Sequence, residues 1–191
     1  MIPLALDPRS VKLAVAGNGP LALRRLRALR HGGAAEALLF ADAPSGELAA
    51  EADIFLRPAL PDEAALQALH VLWIVDVAPG RAAELAILAR RLRVLVNVED
   101  VPDYCDFHSV AELRRGDLLL TVSTNGMAPG LAGTIRRTLE ASFGPEWDER
   151  VSEVAALRQN WQAEGVSMPE AARRIEALVA ERCWLSFTTQ N

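Results

Sequence analysis

The feature that most constrains this chain is the corner in "VKLAVAGNGPLALRRLRALRHGG", residues 11–33. Val11, Leu13 and Val15 lie in a short apolar run. Gly17-Asn18-Gly19 breaks that run, and an Ala/Leu/Arg segment follows with apolar residues every three or four positions. This change of period predicts a buried strand over Val11–Ala16 and a helix over Pro20–His31, stopped by Gly32-Gly33. The same alternation continues. Strands are expected at Glu36–Phe40, Ile54–Leu56, Val71–Val77 and Val94–Val98, and helices at Asp62–Leu69 and Gly80–Leu92. Such an order implies an α/β fold, a Rossmann-like and mostly parallel sheet with helices on both faces.

After Glu99 the character changes. "DVPDYCDFHSVAELRRGDL" is polar, "DLLLTVST" reads as a strand and "NGMAPG" as a turn-rich loop. A helix is expected over Leu131–Ser142, a break at Gly144-Pro145, and two helices around Gly165–Pro169 in a tail that carries Trp147, Trp161 and Trp184. The expected division is a Rossmann-like dinucleotide-binding domain over 1–110, a small strand-containing segment over 111–143 and a helical C-terminal region over 144–191.

Composition narrows the function classes. With 191 residues, 51% hydrophobic and 24% charged, the chain can build an ordinary core. Its net charge of -5 disfavours nucleic acid as a partner. No stretch reaches the roughly 20 apolar residues of a membrane span, so no membrane partner is expected. "MIPLALDPRS" lacks the pattern of a signal peptide. Cys105 and Cys183 lie far apart without metal-type spacing, which fits a cytoplasmic protein and offers no metal-ligand set.

Three constellations carry chemistry. In the first, Gly17-Asn18-Gly19-Pro20-Leu21-Ala22 follows a strand and opens a helix. Gly17 makes the turn, Gly19 admits a pyrophosphate, and the helix end offers free N–H groups. Asp42 follows the second strand near the roughly 20-residue offset of a ribose-binding carboxylate. The alternative is a plain βα turn with Asp42 as a loop acid. In the second, "VNVEDVPDYCDFHS" sets Glu99, Asp100, Asp103, Asp106 and His108 behind a strand, where parallel sheets gather ligands. Asp100, directly after the strand, is the candidate base. Asp103 and Asp106 read as turn and cap residues, and His108 as a surface imidazole, a proton carrier or a metal ligand. In the third, "TVSTNGMAPGLAGTIRRTLE" places Ser123, Thr124, Asn125 and Gly126 before a helix, a loop suited to an anionic ligand. Arg114, Arg115, Arg136 and Arg137 could face polycarboxylates or simply water.

Taken together, the glycine corner, "VNVED" with "CDF", and "LLLTVSTNGMAPGLAGTIRRTLE" resemble the siroheme-synthase N-terminal family, the precorrin-2 dehydrogenase and sirohydrochlorin ferrochelatase proteins. The resemblance runs from about Leu4 to Phe143. It implies NAD as cofactor, a tetrapyrrole substrate oxidised from precorrin-2 to sirohydrochlorin, ferrous iron as a second substrate, and a homodimer formed through the segment after residue 110 and the helical tail. It implies Asp100 as the catalytic carboxylate; His108, which stands where the chain departs from the family, is the second catalytic candidate and would assist in a member that kept only chelation. The nucleotide loop falls on Gly17, Asn18, Gly19, Pro20 and Leu21, with Asp42, Val75 and Asp76 beside the cofactor. The tetrapyrrole falls to Ser123, Thr124, Asn125 and Gly126, with Arg115 and Arg136 for its carboxylates. Asp42 favours NAD over NADP because it would repel a 2′-phosphate. The chain departs from the family in Asn18, where the family reads Gly-Gly-Gly. It departs again in Ile74-Val75-Asp76-Val77, where the family has an Ala-Ala-Thr-Asp style end, and in His108-Ser109-Val110-Ala111. Asp76 would either repel a pyrophosphate or accept a ribose hydroxyl. The other readings are a ferrochelatase alone, a non-catalytic tetrapyrrole- or dinucleotide-binding paralogue, and an NAD-sensing module acting through its tail.

Overall fold

In the computed structural model, which describes residues 2–185, Leu13–Ala16 forms strand β1 with every residue buried. Contacts divide the chain into two units, Met1–Ser109 and Val110–Asn191. In the first, helix α1 (Pro20–His31), β2 (Leu38–Phe40), α2 (Gly46–Ala52), β3 (Leu56–Arg57), α3 (Glu63–Gln67), β4 (Val71–Ile74), α4 (Pro79–Arg91) and β5 (Leu95–Val98) follow β1. The five strands form one parallel sheet in the order β3-β2-β1-β4-β5.

Both faces of this sheet are covered, which is why its central strands read as continuous apolar runs. Side chains alternate along β1. Ala14 and Ala16 face a core with Leu66, Leu72, Ile74, Ala86 and Val96. Leu13 and Val15 face the other core with Ala22, Leu26, Leu39, Leu48 and Trp73. Each fully buried leucine, such as Leu26 or Leu72, contributes about 2 kcal/mol of transfer free energy.

Two elements differ from expectation. Pro44 and Gly46 read as breakers, yet Ser45 caps α2: its hydroxyl accepts the Leu48 N–H at 3.2 Å, and Leu48 and Ala52 bury one side of the helix. The strand expected at Ile54–Leu56 is instead a 3-10 turn, Asp53–Phe55, followed by the two-residue strand β3.

The second unit holds an antiparallel pair, β6 (Ala111–Arg115) and β7 (Leu118–Val122), then α5 (Pro129–Ser142), α6 (Trp147–Ala163) and α7 (Met168–Glu181). Strand β6 is a correction to the polar segment expected there. Arg115 pairs with Leu118 across a two-residue turn, in which Gly116 adopts φ +54° and leaves no room for a side chain beside Asp148. Trp147 is buried against Phe143, with ring centroids 4.9 Å apart, and the Arg150 guanidinium lies over Trp147 and Trp184 at 5.0 and 5.2 Å. Ser167 caps α7 by accepting the Glu170 N–H.

Candidate functional site

The register brings four loops out at one level. Ala16 pairs with Phe40 and Ile74, and Ile74 with Val98, so the chain leaves β1, β2, β4 and β5 along a single edge. That edge carries Gly17-Asn18-Gly19, Asp42, Asp76 and Asp100. It is the carboxyl end of a parallel sheet, where α/β proteins hold their ligands.

Gly17 is buried, and a side chain there would run into the Val75 carbonyl. Its N–H donates to the Phe40 carbonyl, while the Val75 N–H donates to Ala16. Helix α1 begins at Pro20 with no side-chain cap from Gly19 and no acid in its first turn. The anion it lacks comes from β4. Oδ2 of Asp76 accepts the N–H groups of Leu21 at 2.8 Å and Ala22 at 3.0 Å. Asp76 sits at φ +53°, an exposed residue held in the left-handed region. The space opened by Gly19 is filled by that same carboxylate.

Asn18 ties the next loop in. Its amide nitrogen donates to Oδ1 of Asp42 at 2.7 Å, and its oxygen accepts the Ala43 N–H at 3.0 Å. Asp42 is exposed, and its second oxygen has no partner among the described residues.

Asp100, after β5, is exposed at φ +60°, and its carboxylate makes no bond within the described residues. Its neighbour Glu99 accepts from Arg24 at 3.3 Å and Arg25 at 3.1 Å, fastening the loop to α1. Asp106 is structural: it accepts from Arg90 Nε and from the Val96 N–H, both at 2.9 Å. Asn97, buried inside β5, donates to the Phe107 carbonyl at 2.8 Å, and Trp73 Nε1 donates to Ser109. Burial pushes the Cys105 thiol upward, and it donates to the Val98 carbonyl at 3.2 Å. His108 is half-buried between these anchored residues and makes no hydrogen bond among the described residues. No cluster of three or more His, Cys, Asp or Glu positioned for a metal occurs among the described residues.

In the second unit, Ser123, Thr124, Asn125 and Gly126 form one loop before α5. Its hydroxyls wind it on itself: Ser123 Oγ accepts the Asn125 N–H and Thr124 Oγ1 the Ala128 N–H. Asn125 and Gly126 both take positive φ, at 55° and 76°. Arg115 donates to the Phe143 carbonyl at 2.9 Å, and Arg136 pairs with Glu140 one turn along α5. Arg114 pairs with Glu112.

Sequence reasoning placed the acids on this edge but missed their bonds: Asp76 as the cap of α1, Asn18 as the clasp on Asp42, and Glu99 as the anchor for Arg24 and Arg25. One signal was available for Asp76. A helix that starts without a side-chain cap or an acid in its first turn leaves N–H groups open to an anion from elsewhere.

Two N–H groups converging on one carboxylate oxygen make this corner an anion site by construction. With Asp42 one loop away, the same two donors fit a dinucleotide diphosphate, on the positions the Asp76 carboxylate takes beside Gly19.

The family model "Putative NAD(P)-binding" matches residues 4–111. The siroheme biosynthesis protein met8 of Schizosaccharomyces pombe is 35% identical over 115 residues, 60% of this chain and 43% of that one. A siroheme synthase of Methylococcus capsulatus is 31% identical over 176 residues, 90% of this chain but 36% of its own. The chain thus spans well under half of these curated relatives. Among solved structures, SirC, a precorrin-2 dehydrogenase, shares the fold with a TM-score of 0.72 and 21% identity, over 100% of this chain and 95% of that one.

Proposed function

We propose that this chain, which belongs to the NAD(P)-binding family and is similar to siroheme synthases, oxidises precorrin-2 to sirohydrochlorin with NAD. The observation that carries the reading is the anion site at the start of α1, on the same sheet edge as Asp42 and Asp100. Bound NAD supplies a hydride acceptor. Around it, Gly17, Asn18, Gly19, Pro20 and Leu21 form the loop against the diphosphate. Asp42 accepts from a ribose hydroxyl through its unbonded oxygen, and Val75 and Asp76 border the cofactor. Precorrin-2 gives up one hydride and one proton. Asp100, free and exposed, takes the proton on its carboxylate, and His108 relays it to water. Ser123, Thr124, Asn125 and Gly126 donate to the substrate's carboxylates, and Arg115 and Arg136 add positive charge.

The same reading extends to insertion of ferrous iron, with Asp100 receiving the pyrrole protons that the metal displaces. It extends also to a homodimer in the cytoplasm. The apolar residues Met127, Leu131 and Ile135, exposed at 85%, 55% and 39%, support a covering partner surface. Given precorrin-2 and NAD, the purified protein forms NADH and sirohydrochlorin in equal amounts; sirohydrochlorin without NADH, or neither, overturns the dehydrogenase reading. One observation favours a second reading, ferrochelatase activity alone or a non-catalytic tetrapyrrole-binding paralogue. Asp76 already satisfies the N–H groups a diphosphate would use. It predicts iron insertion, or bare tetrapyrrole binding, without NADH formation.

A further inference from the structure

Resting on the proposed use of NAD, we infer that Asp76 is a built-in competitor for the dinucleotide diphosphate, and that its carboxylate must leave α1 before the cofactor seats. The N–H groups of Leu21 and Ala22 point at a single oxygen of Asp76, at 2.8 and 3.0 Å. A phosphate oxygen needs the same two donors at the same distance, and two anions do not share one position. Gly19 sharpens the argument. A glycine kept bare for a ligand opens onto free space, whereas here the space its missing side chain leaves is occupied by the Asp76 carboxylate. The residue is also built to release. It is exposed, it sits at φ +53°, and among the described residues only these two bonds hold its side chain. The site therefore has a closed form, with Asp76 on α1, and an open form that accepts a diphosphate. Affinity for the dinucleotide is reduced by the fraction closed.

NADH titration, followed by its fluorescence, tests this on the full chain. Asp76→Gly removes the carboxylate at a backbone conformation glycine adopts freely. Asp76→Asn removes only the charge and tolerates the same φ. Both variants are expected to bind NADH at least about tenfold more tightly than the unaltered protein. A second readout needs no nucleotide: inorganic pyrophosphate raises the melting temperature of Asp76→Gly, whose helix end is bare, and leaves that of the unaltered protein unchanged. Equal or weaker NADH binding by the variants, or equal stabilisation by pyrophosphate, overturns the inference. Turnover of precorrin-2 separates it from the function it rests on. Normal turnover with equal affinities sinks the competitor alone. Tight NADH binding by Asp76→Gly, with no precorrin-2 oxidation by the unaltered protein at saturating NAD, upholds the competitor and sinks the dehydrogenase. NADH binding by none of the three proteins overturns both.

Discussion

The side-chain amide of Asn18 donates to Oδ1 of Asp42 at 2.7 Å while accepting the Ala43 N–H at 3.0 Å, so one residue of the first loop clasps the second. The clasp fixes which oxygen of Asp42 stays available. Asn18→Ala removes both bonds and is expected to lower stability by about 1 kcal/mol, measured by urea unfolding. An unchanged midpoint would show that solvent replaces the clasp at no cost.

Asp42 sets the choice between cofactors. Its exposed carboxylate favours a free 2′-hydroxyl and repels a 2′-phosphate. Asp42→Asn should narrow the preference for NAD over NADP by about tenfold in dissociation constants. An undiminished preference would place the adenine ribose elsewhere.

Asp100 has nothing to lose structurally, since its carboxylate is exposed and unbonded within the described residues. Asp100→Asn keeps the left-handed backbone at φ +60° and is expected to leave the melting temperature in place. Precorrin-2 turnover should drop by about a hundredfold or more. A normal rate assigns the proton to another group.

Gly17 is the opposite case. Gly17→Ala forces a methyl group into the Val75 carbonyl at the centre of the sheet. A loss of about 3 kcal/mol is expected, read as a lowered denaturation midpoint. Retained stability would mean that β1 and β4 shift apart cheaply.

Acid stability depends on α2. The Arg27 guanidinium, hydrogen-bonded to Glu51, holds that carboxyl below the usual glutamate range, and Arg30 adds to it. A lowered folded-state pKa means the pairs stabilise above the unfolded value, and this is lost as pH falls through the folded one. Glu51→Gln should flatten the decline of stability as pH falls through and below the usual glutamate range, and salt should do the same in part. An identical acid limb in the variant would assign the decline to other carboxylates.

Much of this was legible in the sequence, for physical reasons. Helix α1 runs over Pro20–His31 as expected, because proline suits a first turn and Gly32 ends the last. The edge positions of Asp42, Asp76 and Asp100 were readable because each follows an apolar run in a parallel sheet. Strand β6 was hidden because the alternation in Ala111-Glu112-Leu113-Arg114 lasts only four residues, runs into the adjacent charge of Arg115 and follows a long polar stretch; its pairing with Leu118–Val122 makes it a strand. The bonds of Asp76 were hidden more deeply. Residues 21 and 76 meet only through the register of Ala16 with Ile74, which no local pattern encodes.

The borrowed cap on α1 also bears on the life of the protein when its cofactor is scarce. Helices that take their terminal anion from a ligand fray when the ligand departs, and frayed ends are where proteases begin. Here the Asp76 carboxylate, just beyond β4, supplies that anion from within the chain, so the empty protein keeps its first turn wound in the closed form.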